Sequence, residues 1–319
     1  MSAYWARRLL QAILLSAGVV VLTFVLIHLA PGDPIATLAG ELSSAQYQEQ
    51  LRRDLGLDRP LAVQLVRYLG HVFRGDLGYS FRFGQPVLAL VAARTPATLL
   101  LMGAALVISA VLGVWIGVEM ARHTRSPGWA LAGAATIVGY SVPAFWVGEI
   151  LILVFAVRFR LFPIVGMTSL AGYTGPAHWV DVARHLVLPV ATLVCVNLAL
   201  FARLTRASML DVLTQEYVVV ARAKGLPAGR VLYTHALRSA LLPVMTVVGL
   251  NFGSMLAGFV LVETVFGWPG LGRLTFDAIG ARDYPVISGL FLFTSEGVIL
   301  ANLMTDLAYG LADPRVRYG

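Results

Sequence analysis

Residues 97–120 read ATLLLMGAALVISAVLGVWIGVEM, a run whose single charged residue, Glu119, stands next to its end. A helix rises about 1.5 Å per residue, so a run of this length reaches past the ~30 Å hydrocarbon core of a bilayer. That reading decides the fold. Working outward, five further runs of the same kind lie at Leu9 to Ala30, Ala130 to Val157, Leu186 to Ala202, Leu241 to Val262 and Pro285 to Tyr309. They are long and helix-like rather than alternating ten-residue strands, which excludes a transmembrane β-barrel. The expected fold is an all-α integral membrane protein with six transmembrane helices. An even number of spans puts both termini on the same side.

Composition agrees: of 319 residues 58% are hydrophobic and 13% charged, and the mean hydropathy is +0.78. A soluble globular enzyme is excluded. The one cysteine, Cys195, sits in an apolar run, so there is neither a disulfide framework nor a thiolate metal cluster. Lys and Arg outnumber Asp and Glu by 24 to 17, and all but Lys224 of the 24 are arginine. In a membrane chain such an excess belongs to inner loops rather than to nucleic-acid binding. Arg7 and Arg8 before the first run suggest a signal peptide, but the run is too long and Pro31-Gly32-Asp33-Pro34 follows it without a small-residue cleavage pattern. It is read as a helix.

With both termini inside, twelve Lys/Arg fall on inner segments and twelve on outer ones, seven of the latter in one 66-residue connection. Loops beyond roughly 60 residues cross largely regardless of charge. Leaving that connection out makes twelve against five, so both termini are expected to be cytoplasmic. The chain then divides into residues 1–30 with the N-terminus and first helix, an external segment 31–96, and a five-helix core 97–319 that includes a cytoplasmic loop at 203–240. In the external segment Ser43 or Ser44 can cap a helix from Ala45 to Leu55, a second amphipathic stretch runs from Leu61 to Phe73, and Arg74-Gly75-Asp76-Leu77-Gly78 reads as a turn.

The loop at 203–240 is the richest in polar signal. Thr214 can cap a helix from Gln215 to Lys224 that Gly225 and Pro227 close, and a second helix, Ala228 to Leu237, would precede the fifth span. Physical reasoning leaves two readings open: a knob offering apolar and charged groups to a protein partner, or a solvated or headgroup-bound loop.

Here the sequence resembles the permease subunits of ABC importers. Glu216-Tyr217, Ala221-Arg222-Ala223-Lys224-Gly225 and Ala240-Leu241-Leu242-Pro243 resemble the "EAA" loop of that family. Four further stretches resemble its dipeptide, oligopeptide and nickel branch: Ala30-Pro31-Gly32-Asp33-Pro34, Gly56-Leu57-Asp58-Arg59-Pro60-Leu61, Gly75-Asp76-Leu77-Gly78-Tyr79-Ser80 and Phe266-Gly267-Trp268-Pro269-Gly270-Leu271-Gly272-Arg273. Tyr217 and Val218 stand where sugar importers carry two alanines, which fits the peptide branch. The long first external segment resembles the first of two permease subunits. The resemblance covers nearly the whole chain and implies a type I importer fold in the prokaryotic inner membrane. Its implied partners are a second homologous permease, one or two cytoplasmic ATPase subunits fitted to the loop, an external substrate-binding protein and membrane lipid. ATP and magnesium would bind the ATPases, with no cofactor in this chain.

The chain's own chemistry is meagre. A P-loop needs Gly-Lys-Ser/Thr, and Lys224, the only lysine, is followed by Gly225. There is no His-Glu-x-x-His and no Gly-x-Ser-x-Gly, and the six histidines are scattered, so neither a catalytic residue nor a metal site is expected. Ionisable groups in a bilayer mark a path or a buried pair. Glu149 lies six residues beyond Pro143 in the third span, and Glu296 lies in the sixth. They either hydrogen-bond to Asn197, Asn251 or Asn302 or line a hydrated path, for which Glu149, Asn197, Asn251 and Glu296 are the candidates. Gly113 and Gly117 make a Gly-x-x-x-Gly pair suited to close helix approach. Trp268, Arg273 and Arg282, of types enriched at interface anchors, are expected to dock the binding protein. The competing function is a proton-coupled secondary transporter using Glu149 or Glu296.

Overall fold

The computed structural model describes residues 2–29, 44–54, 56, 58–80, 82–254 and 259–312. Pro31-Gly32-Asp33-Pro34 and the Ser43 cap lie outside them. The described residues of Met1–Pro96 and Leu274–Gly319 pack as one unit and those of Ala97–Arg273 as another.

In the first unit α1 (Ser2–Leu29) packs along α13 (Tyr284–Ala312). Short α2 (Ala45–Asp54) and α3 (Leu61–Phe73) follow, and α3 lies on α1 through a His28–Gln64 hydrogen bond of 3.0 Å and a Phe24–Tyr68 ring contact of 5.7 Å. The turn after α3 forms as expected, with Gly75 and Gly78 at positive φ. A two-stranded hairpin, β1 (Tyr79–Ser80) with β2 (Gln85–Pro86), leads into α4 (Val87–Arg122). Asp283 caps α13: one oxygen accepts from the Val286 amide at 3.3 Å and the other from the Ser80 hydroxyl at 2.5 Å, tying hairpin to helix.

The second unit gathers α4 from residue 97 onward, α5 (Pro127–Ser141), α6 (Ala144–Leu151) with its π-helical extension Ile152–Arg158, and α7 (Pro176–Leu213). Beyond α7 come α8 (Glu216–Ala223), α9 (Ala228–Arg230), a π-helical stretch Val231–Ala236, α10 (Leu237–Ser254) and α11 (Val260–Val265). The chain then reaches α12 (Leu271–Gly280). Leu101, Leu193, Phe266 and Trp268 centre an apolar core. Gly113 and Gly117 do what their spacing suggests: a Cβ at Gly113 would lie 2.5 Å from the Phe201 Cβ, and one at Gly117 2.6 Å from the Ala202 carbonyl oxygen. Backbone packs on backbone, which in lipid substitutes for the missing hydrophobic drive.

Five helices among the described residues are long and apolar enough to cross a membrane, six if one bent pair counts as a single span. That pair is the expected third span, bent sharply at Pro143: α5 and the helix from Ala144 to Arg158 meet at 104°. Pro143 has no amide hydrogen to give and forces Val142 extended, at φ −87° and ψ 135°, so the helical ladder ends there. The second and fourth spans also outrun their expected limits, α4 to 36 residues, mostly through the largely apolar 87–96 before its expected start, and α7 to 38 through turns bearing charged residues at both ends.

Candidate functional site

α7 hands the chain to α8 through only two residues, Thr214 and Gln215. The expected Thr214 cap of α8 does not form. Its hydroxyl donates instead to the Asp211 carbonyl at 2.8 Å, closing α7, and the extended Gln215 precedes α8 without a side-chain cap. The expected separate second helix is also revised, because α9 continues through the π-helical stretch into α10, and this whole length is one candidate span, Ala228–Asn251. Pro243, inside α10, is past the first turns and does not break it. The loop is therefore one short helix docked on the start of a long one.

α8 has two faces. Val218 and Ala221 are buried against Val231, with Val212, Leu213 and Leu226 around them. Glu216, Tyr217, Arg222, Ala223, Lys224 and Gly225 are exposed. Glu216 sits in the first turn, where the helix dipole favours an acid. At the other end Gly225 takes φ +76° and its amide bonds the Arg222 carbonyl at 2.9 Å, with nothing within 4 Å of the place a Cβ would occupy. Its requirement is purely conformational.

Two tyrosines fasten this loop. The Tyr217 hydroxyl donates to the Ser239 hydroxyl oxygen at 3.0 Å, holding α8 to α10. Tyr233, on the π-helical stretch, donates to Glu119 Oε1 at 2.6 Å, and the other Glu119 oxygen lies 3.3 Å from His123 Nδ1. Glu119 is 8% exposed, at the end of α4. Below it Val118, Ala121, Met209, Leu232, Ala236 and Ala240 form a continuous apolar cluster. The ends of α4 and α7 thus share one body with the loop. The sequence marked Glu119 only as the charged residue next to the end of its run and gave no sign of Tyr233, whose partner lies 114 residues away.

Three of the expected path residues hydrogen-bond within their own unit. Asn197 and Asn251 each donate to their own helix, to the Leu193 and Val247 carbonyls at 2.9 and 2.8 Å. Glu296 accepts from the Ser16 hydroxyl at 2.7 Å. Glu149 is exposed on α6. Among the described residues no three His, Cys, Asp or Glu cluster as metal ligands.

The segment 266–273 corrects an expectation. Trp268 is wholly buried, its indole N–H donating to the Ala97 carbonyl at 2.8 Å, so it offers no surface for docking. A ring of that size gains most by burial once its N–H finds an acceptor. Arg273 is half-buried, and Arg282 is exposed at φ +55°. Beside Trp268 lies Glu263, which sequence reasoning missed and which is wholly buried. It accepts from the Thr98 hydroxyl at 2.9 Å and the Arg273 amide at 3.1 Å, while Thr98 accepts from the Leu271 amide at 2.7 Å. An acid thus caps α12, and Gly270 and Gly272 leave it room. An acid followed by two closely spaced glycines was the available signal.

The profile of the family described as "Binding-protein-dependent transport system inner membrane component" matches residues 109–318, and that of its N-terminal part matches residues 1–102. A "probable peptide ABC transporter permease protein" of Sinorhizobium fredii is 43% identical over 320 residues, covering 100% of both chains. The dipeptide transport system permease protein of Escherichia coli is 40% identical over 98% of each chain. The oligopeptide transport system permease protein of Bacillus subtilis is 39% identical over 100% of each.

Proposed function

The chain belongs to the family of binding-protein-dependent transport system inner membrane components, and on that premise we propose that it is a permease subunit of an ATP-driven peptide importer. It is a multi-pass protein of the bacterial inner membrane. The observation that carries the substrate class is end-to-end similarity to permeases named for peptides, dipeptides and oligopeptides. The chain pairs with a second, homologous permease, receives substrate from an external binding protein, and sits on one or two ATPase subunits that hold ATP and magnesium. Both termini and the loop around α8 face the cytoplasm.

Its task is mechanical. The exposed side of α8, from Glu216 to Gly225, meets the ATPases, and the buried side passes their motion through Tyr217 to α10 and through Tyr233 to α4. Two access states whose balance ATP and loaded binding protein bias differently are required. Arg273 and Arg282 remain candidates for the binding-protein contact, and Glu149, Asn197, Asn251 and Glu296 for the path. The test is uptake of labelled di- and oligopeptides into proteoliposomes holding the co-purified complex. ATP-dependent uptake is expected, with no hydrolysis by the isolated chain. Uptake that needs no ATP and stops with an uncoupler would support the proton-coupled alternative instead.

A further inference from the structure

A cleft of 870 Å³ opens between the end of α4, the whole of α5 and the second half of α7. Its length is apolar, walled by residues such as Ala134, Ile137, Leu200 and Leu204, while His123, Arg203 and Arg206 line it as well. Arg203 and Arg206 stand three apart on α7 and therefore on one face. Both are exposed and neither bonds an acid among the described residues; Glu119, the acid close by, already holds Tyr233 and faces His123 and Arg122. Two guanidinium groups without a counter-ion, beside an apolar trough on spanning helices, match a ligand with an anionic head and a hydrocarbon tail.

We propose that this cleft is a binding site for one anionic phospholipid, whose phosphate bonds Arg203 and Arg206 and whose acyl chain lies along Ile137, Leu200 and Leu204. Free phosphate would satisfy the arginines but leave the apolar length empty. A peptide's carboxylate would do the same unless its side chains were uniformly apolar. The proposal rests on the reading that places this end of α7 at the cytoplasmic leaflet, where anionic headgroups concentrate.

The test uses the assembled complex in phosphatidylcholine nanodiscs containing a phosphatidylglycerol that carries a photoreactive group in its acyl chain, with labelled residues mapped by mass spectrometry. Labelling is expected at α5 and α7. Arg203→Gln combined with Arg206→Gln should lower it about tenfold or more, two interfacial arginines being worth roughly that. Arg82→Gln, on the exposed turn between β1 and β2, should leave it unchanged. Ile137→Trp, which fills the trough without touching charge, should also abolish it, and this keeps the proposal testable if the double variant fails to assemble. Millimolar inorganic phosphate should not compete. Labelling unchanged in both variants, competition by phosphate, or a reagent in the cleft capturing the second permease chain would each overturn the site. Peptide uptake is assayed separately: its failure with cleft labelling intact would count against the transport reading alone.

Discussion

At Gly270 a methyl group would fall on the Glu263 carboxylate. The acid is wholly buried, and its bonds to Thr98 and the Arg273 amide have no solvent substitute. Gly270→Ala is therefore expected to cost on the order of 3 kcal/mol, the range for breaking a buried charged network. A lowered Tm of the detergent-purified protein would show it, while Glu263→Gln, which keeps the length but only one of the two acceptor oxygens, should lower Tm less than Glu263→Ala. A second residue titrates. The Gly78 amide and then His71 hold the Asp76 carboxyl below its usual range. Because the folded pKa is depressed, the turn's stabilisation is present above the ordinary carboxylate pKa of about 4 and is lost as pH falls through the lower folded value. Hydrogen exchange at the Gly78 amide, corrected for its intrinsic pH dependence, should quicken only in strong acid, and Asp76→Ala should be fast throughout.

Among the elements, the loop after α7 carries the sharpest expectations. Gly225→Val costs roughly 1 kcal/mol at a positive φ with open space around it, too little to unfold the protein. Expression and insertion should persist while ATP-dependent uptake collapses; uptake equal to wild type would make the loop a solvated surface. Tyr233→Phe removes only the hydroxyl that reaches Glu119. ATP hydrolysis by the complex should continue while peptide carried per ATP falls severalfold, a ratio that simple instability would leave unchanged. Much of this element was legible in advance. The short helix and its Gly225 end followed from local rules of capping and φ, and the apolar runs followed from length alone. Tertiary partners were not legible. Thr214 had two bonding options within three residues and took the carbonyl behind it, and Trp268 looked like a surface anchor because its acceptor, Ala97, lies 171 positions back.

For the whole molecule, Glu296→Gln and Glu149→Gln separate the two transport mechanisms. Glu296 accepts from Ser16, and an amide oxygen does so equally well, so an ATP-driven permease should lose little uptake. A proton carrier must change charge each cycle, and complete loss of uptake with normal assembly and ATP hydrolysis would favour it. The bend at Pro143 bears on how the protein is made. Each half, 15 residues in α5 and another 15 from Ala144 to Arg158, is only about 22 Å long, short of the ~30 Å core. The insertion machinery weighs a nascent segment by its apolar content, and residues 127–158 are apolar enough to count as a span only when taken together. What holds the break open arrives later in the chain: α7 sets the Cys195 carbonyl 2.8 Å from where a Gly139 Cβ would stand, and Phe266 packs 2.9 Å from the corresponding point on Gly148. Pro143 ends the helical ladder as soon as the segment is made, and the contacts that fix the angle form only once synthesis has passed residues 195 and 266. A truncated product ending before Pro176 is expected to keep the break at Pro143 while the angle across it varies.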